Sequence, residues 1–317
     1  MASSKEYTLL FSEFPPVSSS AWEEKIKEDL KGADYEKKLI WKSFEGINVK
    51  PYYRLEDLRE HGWENNENTE FPYVKIVKQA VNSWFIRQQI ITEDADKANK
   101  TALDLLDKGV NSPDFFLTSE FIKDEKNVSA LIQNLPLHSI EINFSGYKAE
   151  ESVIFLHKYS QFNDYKNKIK GTIDFDPIGR LCTKGHFYAD SEKLSVDKML
   201  GLLELSAIMP HLRIISVNAR HFVNAGASVT QELAYGLALA TEYMAILTDR
   251  GVNINEAASK IAFNMAVSSN YFFEIAKFRA ARLLWNKILE AFDNSCKEPM
   301  YIHAETAKWN LSIYDPY

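Results

Sequence analysis

Short apolar runs rich in β-branched and aromatic residues alternate with longer amphipathic stretches from about residue 70 onward. Alternation of this kind predicts parallel strands joined by right-handed helical crossovers. The predicted strands are Tyr73–Val77, Asp114–Leu117, Ser139–Phe144, Lys170–Phe175, Arg213–Val217, Lys260–Met265 and Met300–Glu305. Helical spacing of apolar residues predicts helices over Ala95–Lys108, Asn127–Asn134, Glu151–Phe162, Val196–Ile208, Val229–Asp249 and Tyr271–Phe292.

This succession of strand–helix units predicts an α/β fold, a TIM-type (β/α)8 barrel over residues 51–317 that is incomplete at about seven strands. A closed barrel needs another helix, strand and helix after Met300–Glu305, whereas only a short segment follows. We therefore expect a barrel truncated before its last strand, in a chain that is a fragment of a longer protein. A doubly wound open sheet is the alternative that this pattern leaves open.

The first 50 residues are predicted to form an extended N-terminal arm. Leu9–Phe14 is apolar and is followed by two prolines and a serine run, after which Ser20 is expected to cap a helix over Ala21–Leu30. Gly32 is expected to end that helix. An arm of this length buries little surface alone, so we expect residues 1–50 to contact their own domain or a partner subunit.

Charge and cysteine content narrow the functional classes. The 317 residues carry 37 Lys and Arg against 44 Asp and Glu, a net charge of −7, which argues against a general nucleic-acid-binding role. Cys182 and Cys296 lie too far apart to suggest a zinc site or a disulfide framework, as is typical of a reducing cytoplasm. The polar start lacks a signal-peptide core, and no apolar run is long enough for a membrane span.

Three groups of residues are candidates for chemistry. Arg220 and His221 follow a predicted strand, where a barrel carries its active site, and could bind an anion and move a proton, or His221 could be an ordinary loop histidine. Asp174, Asp176 and His186 could hold a metal, although such Asp-Pro segments are more often capping turns. His303 and Glu305 share one face of the last predicted strand, and two ligands are too few for a metal site.

Several segments together resemble the acyl-CoA mutase family, which depends on adenosylcobalamin. Their order and spacing agree with the family over most of the chain. They are Trp41–Pro51, Trp84–Gln88, His221–Ala227, Gln231–Tyr235, Phe273–Trp285, His303–Leu311 and Asp315–Tyr317. The arm resembles the start of the family's small subunit through Phe11-x-Glu-Phe-Pro15 and Trp22-x-x-x-Ile26.

The resemblance implies an isomerase that interconverts methylmalonyl-CoA and succinyl-CoA by a radical mechanism. It places Arg87, Thr172 and His221 at vestigial substrate-contacting positions, and it supports no confident catalytic residue. Gln89 replaces the family's tyrosine, and Asp174 replaces a neutral amide. Because the substrate is anionic, added carboxylates predict poor binding.

We therefore expect a non-catalytic small subunit whose partner, the large subunit, binds adenosylcobalamin, with no cofactor and no metal on this chain. The family's C-terminal cobalamin-binding domain is absent from the sequence, as is the Asp-x-His-x-x-Gly motif by which one group of cobalamin enzymes ligates cobalt. Two alternatives stay open, an active acyl-CoA mutase barrel of altered specificity and a free-standing scaffold barrel.

Overall fold

The computed structural model of the protein describes residues 14–60, 84–118, 125–162, 165–188, 191–312 and Tyr314. The chain divides into two units, residues 1–66 and 67–317. The predicted strand Tyr73–Val77 and residues 9–13 of the arm's apolar run lie outside the described residues.

The first unit contains three helices and a short hairpin among its described residues. The serine that caps the first helix is Ser18, whose side chain accepts a hydrogen bond from the backbone of Ala21, so the predicted cap at Ser20 was wrong by two positions. Trp41 pairs with Val49 in the antiparallel hairpin. The elements are α1 (Ser19–Asp29), α2 (Tyr35–Leu39), β1 (Trp41–Lys42), β2 (Asn48–Val49) and α3 (Leu55–Glu60). The contact of residues 1–50 with a partner stays a prediction.

The second unit is a parallel α/β structure, which confirms the α/β part of the predicted fold class. Its strands are β3 (Arg87–Thr92), β4 (Ser112–Leu117), β5 (Ile142–Gly146), β6 (Gly171–Ile173), β7 (Leu212–Arg213), β8 (Ile215–Val217), β9 (Ile261–Val267) and β10 (Ile302–Thr306). They pair in parallel in the orders β3-β4-β5-β6-β7 and β8-β9-β10, and Ile214 alone separates β7 from β8. This sequential order lacks the reversal that a doubly wound sheet requires, so that alternative is wrong for the described strands.

The parallel strands curl around a common interior. If β7 and β8 are counted as one strand, β3 and β10 lie six positions apart. In a flat sheet they would be separated by roughly 29 Å, because neighbouring strands lie about 4.8 Å apart. Yet Arg87 of β3 donates hydrogen bonds to Thr172 of β6 at 3.1 Å and to Tyr301, which precedes β10, at 3.2 Å. Side chains from the first and last strands therefore meet inside the curl.

Helices alternate with the strands and pack against the curled sheet. They are α4 (Ala95–Asp107), α5 (Glu125–Ile132), α6 (Ser152–Phe162), α7 (Pro177–Lys184), α8 (Glu192–Ser206), α9 (Arg220–Asn224), α10 (Val229–Asp249), α11 (Ile254–Ser259) and α12 (Tyr271–Phe292). The bounds of α10 and α12 agree with the prediction, whereas the short helices α7, α9 and α11 were not predicted. None of the helices within the described ranges is long and apolar enough to cross a membrane.

The two faces of each strand differ in chemistry. Apolar side chains such as Phe115, Phe144 and Phe263 are buried in the core. The alternate positions carry polar side chains such as Asp114 and Asn143, because successive side chains of a strand point to opposite faces. The fold therefore produces a polar interior inside an apolar shell.

A glycine at the start of β6 permits close packing with its neighbour. Gly171 has φ +142°, and an added Cβ would collide with the backbone of Ile142 in β5. A side chain at this position would both strain the backbone and push the strands apart.

Candidate functional site

A cavity of about 670 Å³ opens inside the curled sheet. A smaller void of about 20 Å³ shares Arg87, Asp114, Arg220 and His303 with it. The larger cavity is lined by Trp84, Phe85, Arg87, Gln89, Ser112, Asp114, Glu141, Arg220 and Tyr301–Thr306. Its volume is in the range of small-molecule sites.

Arg87 is the central cation of this cavity. Its Nη1 donates to Thr172 Oγ1 at 3.1 Å, its Nη2 to Tyr301 Oη at 3.2 Å and its Nε to Ser112 Oγ at 3.4 Å. The carboxylate of Glu141 lies 3.7 Å from Nη2. The structure therefore brings Arg87 and Thr172 together, and every nitrogen of the guanidinium already donates to the protein.

Glu141 anchors the opposite side of the same network. It accepts a hydrogen bond from Tyr301 Oη at 2.7 Å and one from Ser112 Oγ at 3.0 Å. The Arg213 guanidinium stacks over the Tyr301 ring at 4.0 Å from its centroid. Burial is the main cause that raises the pKa of Tyr301, so its hydroxyl remains a donor at neutral pH.

Asp114 is a buried carboxylate whose two oxygens differ. Its Oδ2 accepts hydrogen bonds from Ser145 Oγ at 2.9 Å and from Gln89 Nε2 at 3.3 Å. Its Oδ1 has no hydrogen-bond partner among the described residues. Burial is the main cause that raises the pKa of Asp114, and the charge of Arg87 opposes that shift.

A chain of hydrogen bonds fixes the tautomer of His303. Asn218 Nδ2 donates to Asp174 at 2.8 Å and to Asp176 at 3.1 Å, so its oxygen faces the other way and accepts from Asn264 Nδ2 at 2.9 Å. The oxygen of Asn264 is consequently the acceptor that lies 3.1 Å from His303 Nδ1. Nδ1 therefore carries the proton, and Nε2 is an acceptor.

Two titratable groups in this hydrogen-bond network, His303 and Asp176, have shifted pKa values. Burial, followed by the charges of Arg87 and Arg220, lowers the pKa of His303 to about 3. Burial raises the pKa of Asp176 to about 6, against the hydrogen bond that Tyr243 Oη donates to its Oδ1 at 2.5 Å. His303 is therefore neutral at physiological pH.

Arg220 and His221 are separated at the short helix α9. Arg220 lines the cavity and forms an ion pair with Glu305 at 2.6 Å, whereas His221 is exposed and is not among the residues that line the cavity. A carboxylate of the same chain therefore occupies the place of the anion that Arg220 was predicted to bind. His221 is not brought together with Arg87 and Thr172.

The Asp-Pro segment is a helix cap. Asp176 is the N-cap of α7 and accepts from the backbone of Gly179 at 2.9 Å, which confirms the capping interpretation. His186 is exposed, and its Nδ1 lies 2.8 Å from the carbonyl oxygen of Phe187. Within the described ranges no three His, Cys, Asp or Glu side chains are grouped so as to hold a metal.

Sequence reasoning did not place Asp114, Glu141 and Tyr301 at the site, and it identified Gln89 only as the residue that replaces the family's tyrosine. For Glu141 and Tyr301 the available signal was a polar residue at every second position of a predicted strand, which marks the inner face of a curled sheet. With these residues included, two arginines face four carboxylates around the two voids, namely Asp114, Glu141, Asp174 and Glu305.

Known proteins that are similar to this chain are methylmalonyl-CoA mutases. The family profile described as methylmalonyl-CoA mutase matches residues 121–317. The chain is 39% identical over 322 residues to the methylmalonyl-CoA mutase small subunit of Porphyromonas gingivalis, covering 98% of this chain and 50% of that protein.

More distant relatives include a large subunit and a mitochondrial enzyme. The methylmalonyl-CoA mutase large subunit of Streptomyces virginiae is 26% identical over 95% of this chain and 45% of its own length. The mitochondrial methylmalonyl-CoA mutase of Homo sapiens is 28% identical over 93% and 43%. The chain therefore spans about half the length of the curated relatives that it matches.

Proposed function

The chain belongs to the methylmalonyl-CoA mutase family, and from that premise we propose that it is part of a non-catalytic small subunit of an adenosylcobalamin-dependent methylmalonyl-CoA mutase. In this proposal it supports a large subunit that interconverts methylmalonyl-CoA and succinyl-CoA, an isomerase reaction. The similarity to a small subunit over nearly the whole chain supports this assignment.

The observation that carries the non-catalytic role is the charge balance of the cavity. A CoA thioester with a free carboxylate is anionic and needs unpaired cations. Arg220 is instead paired with Glu305 at 2.6 Å, and Arg87 lies beside Glu141 while donating to three other side chains. An anion entering the cavity would have to displace these partners and face additional carboxylates, which disfavours its binding.

The curled sheet is, in this proposal, a partial TIM-type barrel over residues 51–317. The sequential parallel order and the hydrogen bond between Arg87 and Tyr301 support it. Residues 1–50 are proposed as the arm that contacts the large subunit. A cytoplasmic location is part of the same proposal, in line with two free cysteines among the described residues.

The cobalamin of this family is proposed to lie on the large subunit. The residues of this chain do not match the cobalt-ligating motif of one group of cobalamin enzymes, because Asp-x-His-x-x-Gly is absent from the sequence. Arg87 and Thr172 are retained as vestigial substrate positions, with His221 at the rim.

An active mutase barrel of altered specificity is the second candidate. The contact between Arg87 and Thr172, at 3.1 Å, favours it because two of the three expected substrate positions face the same space. A less anionic acyl-CoA would suit the cavity better than methylmalonyl-CoA does.

The test is to mix the purified chain with the large mutase subunit from the same source and to measure mass by light scattering after size-exclusion chromatography. We expect a stoichiometric heterodimer, and no turnover of methylmalonyl-CoA by this chain with adenosylcobalamin. Turnover by the chain alone would overturn the non-catalytic role. Separate elution would contradict the partner role of this part of the protein.

A further inference from the structure

We propose that the cavity binds the ammonium group of a small organic amine, held by Asp114 and His303. This site is distinct in chemistry from an acyl-CoA site, because it recognises a cation rather than an anion. It does not depend on subunit association, so it can fail or hold independently of the proposed function.

The first support is the unsatisfied carboxylate oxygen of Asp114. The residue is only 8% exposed and lines both voids, and its Oδ1 has no hydrogen-bond partner among the described residues. A buried carboxylate oxygen without a donor is costly in free energy. Because its Oδ2 is already held by Ser145 and Gln89, Oδ1 is the oxygen left for a ligand.

The second support is the acceptor nitrogen of His303. The network through Asn218 and Asn264 leaves the proton on Nδ1, so Nε2 presents a lone pair. His303 lines the same two voids as Asp114. Two acceptors around one space match a group that has several N–H donors, and an alkylammonium has three.

The third support is the surrounding charge. The two arginines that line the cavity already have partners. Arg87 donates hydrogen bonds to three side chains of the interior, and Arg220 forms an ion pair with Glu305. Four carboxylates around the two voids outnumber these two arginines, so the space has an acidic excess. The charges of Arg87 and Arg220, which lower the pKa of His303, oppose a cation at its ring, so Asp114 is the stronger of the two contacts. Trp84 also lines it, and an indole ring is a side chain that attracts cations.

An organic cation fits this space better than a divalent metal. No three metal-ligating side chains come together in the part of the chain that the structure describes. A cavity of about 670 Å³ accommodates the carbon skeleton of a small amine. The ligand class is therefore a primary amine in its protonated form.

Ammonium binding should be linked to proton release. Burial raises the pKa of Asp114, and Asp174 raises it further, while Arg87, Ser145 and Gln89 lower it. Glu141, Arg220, His303 and Glu305 face the same space from other elements. A bound ammonium stabilises the ionised carboxylate, so affinity should increase with pH until Asp114 is ionised without ligand.

The probe is n-butylammonium chloride, with sodium butyrate and n-butanol as anionic and neutral counterparts of similar shape. Saturation-transfer NMR and calorimetric titration would be run on the full chain over the whole pH range in which it stays folded. We expect saturable binding of butylammonium alone, tighter at the higher pH. Asp114→Asn should weaken it by about tenfold or more, which corresponds to at least about 1.4 kcal/mol.

The matched control is Asp197→Asn, which neutralises an exposed carboxylate paired with Arg250 outside the cavity. It should leave the affinity unchanged. Calorimetry of the wild-type chain in two buffers of different ionisation enthalpy gives the number of protons released on binding. This measurement needs no variant, so it still tests the proposal if Asp114→Asn does not fold. Absence of saturable butylammonium binding, equal affinity for the Asp114→Asn variant, or binding without proton release at any pH would overturn the proposal.

Discussion

Two charge clusters of the second unit differ in how completely their carboxylate oxygens are paired. The helix cluster consists of Glu232, Glu274 and Lys277, and the cavity cluster consists of the charged residues that line the central cavity. In the helix cluster, Lys277 Nζ lies 2.6 Å from Glu232 and 2.5 Å from Glu274. It also donates to the carbonyl oxygen of Ala266 at 2.5 Å.

Backbone donors also contribute to the helix cluster. Glu232 accepts from the amide of Ala266 at 2.7 Å, and Glu274 accepts from the amide of Ser268 at 3.0 Å. The cluster thereby joins α10 and α12 to the end of β9. Glu274 Oε2 receives no hydrogen bond among the described residues, but it lies 2.5 Å from the ammonium of Lys277. Asp114 Oδ1 of the cavity cluster has neither a hydrogen-bond donor nor an ion pair in that part of the chain. The paired oxygen stabilises packing, whereas the unpaired one is available for a ligand.

The comparison is tested most severely by removing the cation of the helix cluster. Lys277→Met should lower the free energy of unfolding by about 3–5 kcal/mol, because two buried carboxylates lose their cation. Urea denaturation measures the change. Lys287→Met on the exposed side of the same helix is the control and should change stability by less than about 0.5 kcal/mol. A loss below about 1 kcal/mol for Lys277→Met would contradict the structural role of the cluster.

A single hydrogen bond of the cavity cluster should contribute less to the free energy of unfolding than Lys277 does. Tyr301→Phe removes the donor to Glu141, which is 2.7 Å away, and should destabilise the chain by about 2 kcal/mol. Tyr271→Phe, at a side chain that is 70% exposed, is the matched control and should be neutral. If the two variants are equally stable, Glu141 does not depend on Tyr301.

The acid side of the stability profile should report on His303. Its pKa of about 3 lies below the usual value of about 6.5, so unfolding takes up a proton as the pH falls between these values. Wild-type stability should therefore decrease over that window, and His303→Gln should show a shallower decrease. His186→Gln, at an exposed histidine, should retain the wild-type slope. An unchanged slope in His303→Gln would show that the imidazole is not held neutral.

The smallest stability effect is expected at the rim. Glu305→Gln breaks a partly exposed ion pair with Arg220 and should cost less than about 1 kcal/mol. Because Arg220 loses its carboxylate, the variant should gain weak binding of sodium butyrate, observable by saturation-transfer NMR. Lack of any gain would mean that Arg220 is not accessible from the cavity.

Sequence patterns predicted the long elements well and the interior poorly. The helix Val229–Asp249 was predicted with its observed bounds because its apolar spacing is sustained and Ser228 and Gln231 form a capping box. The strand Arg87–Thr92 was not predicted from its pattern, because it opens with three consecutive polar residues and buries only Ile90 and Thr92. Local alternation marks Asp114 only as polar, without indicating what it faces.

The sequence by itself determined the order of strands and helices, their parallel arrangement and the family, because these depend on local periodicity and on motifs in fixed order. Only the tertiary structure decided which charges meet. Arg87 and Tyr301 are 214 positions apart in the chain, yet they share a hydrogen bond. The curvature of the whole sheet brings them together, and curvature is the summed effect of twist and packing over all the strands rather than a property of any one segment.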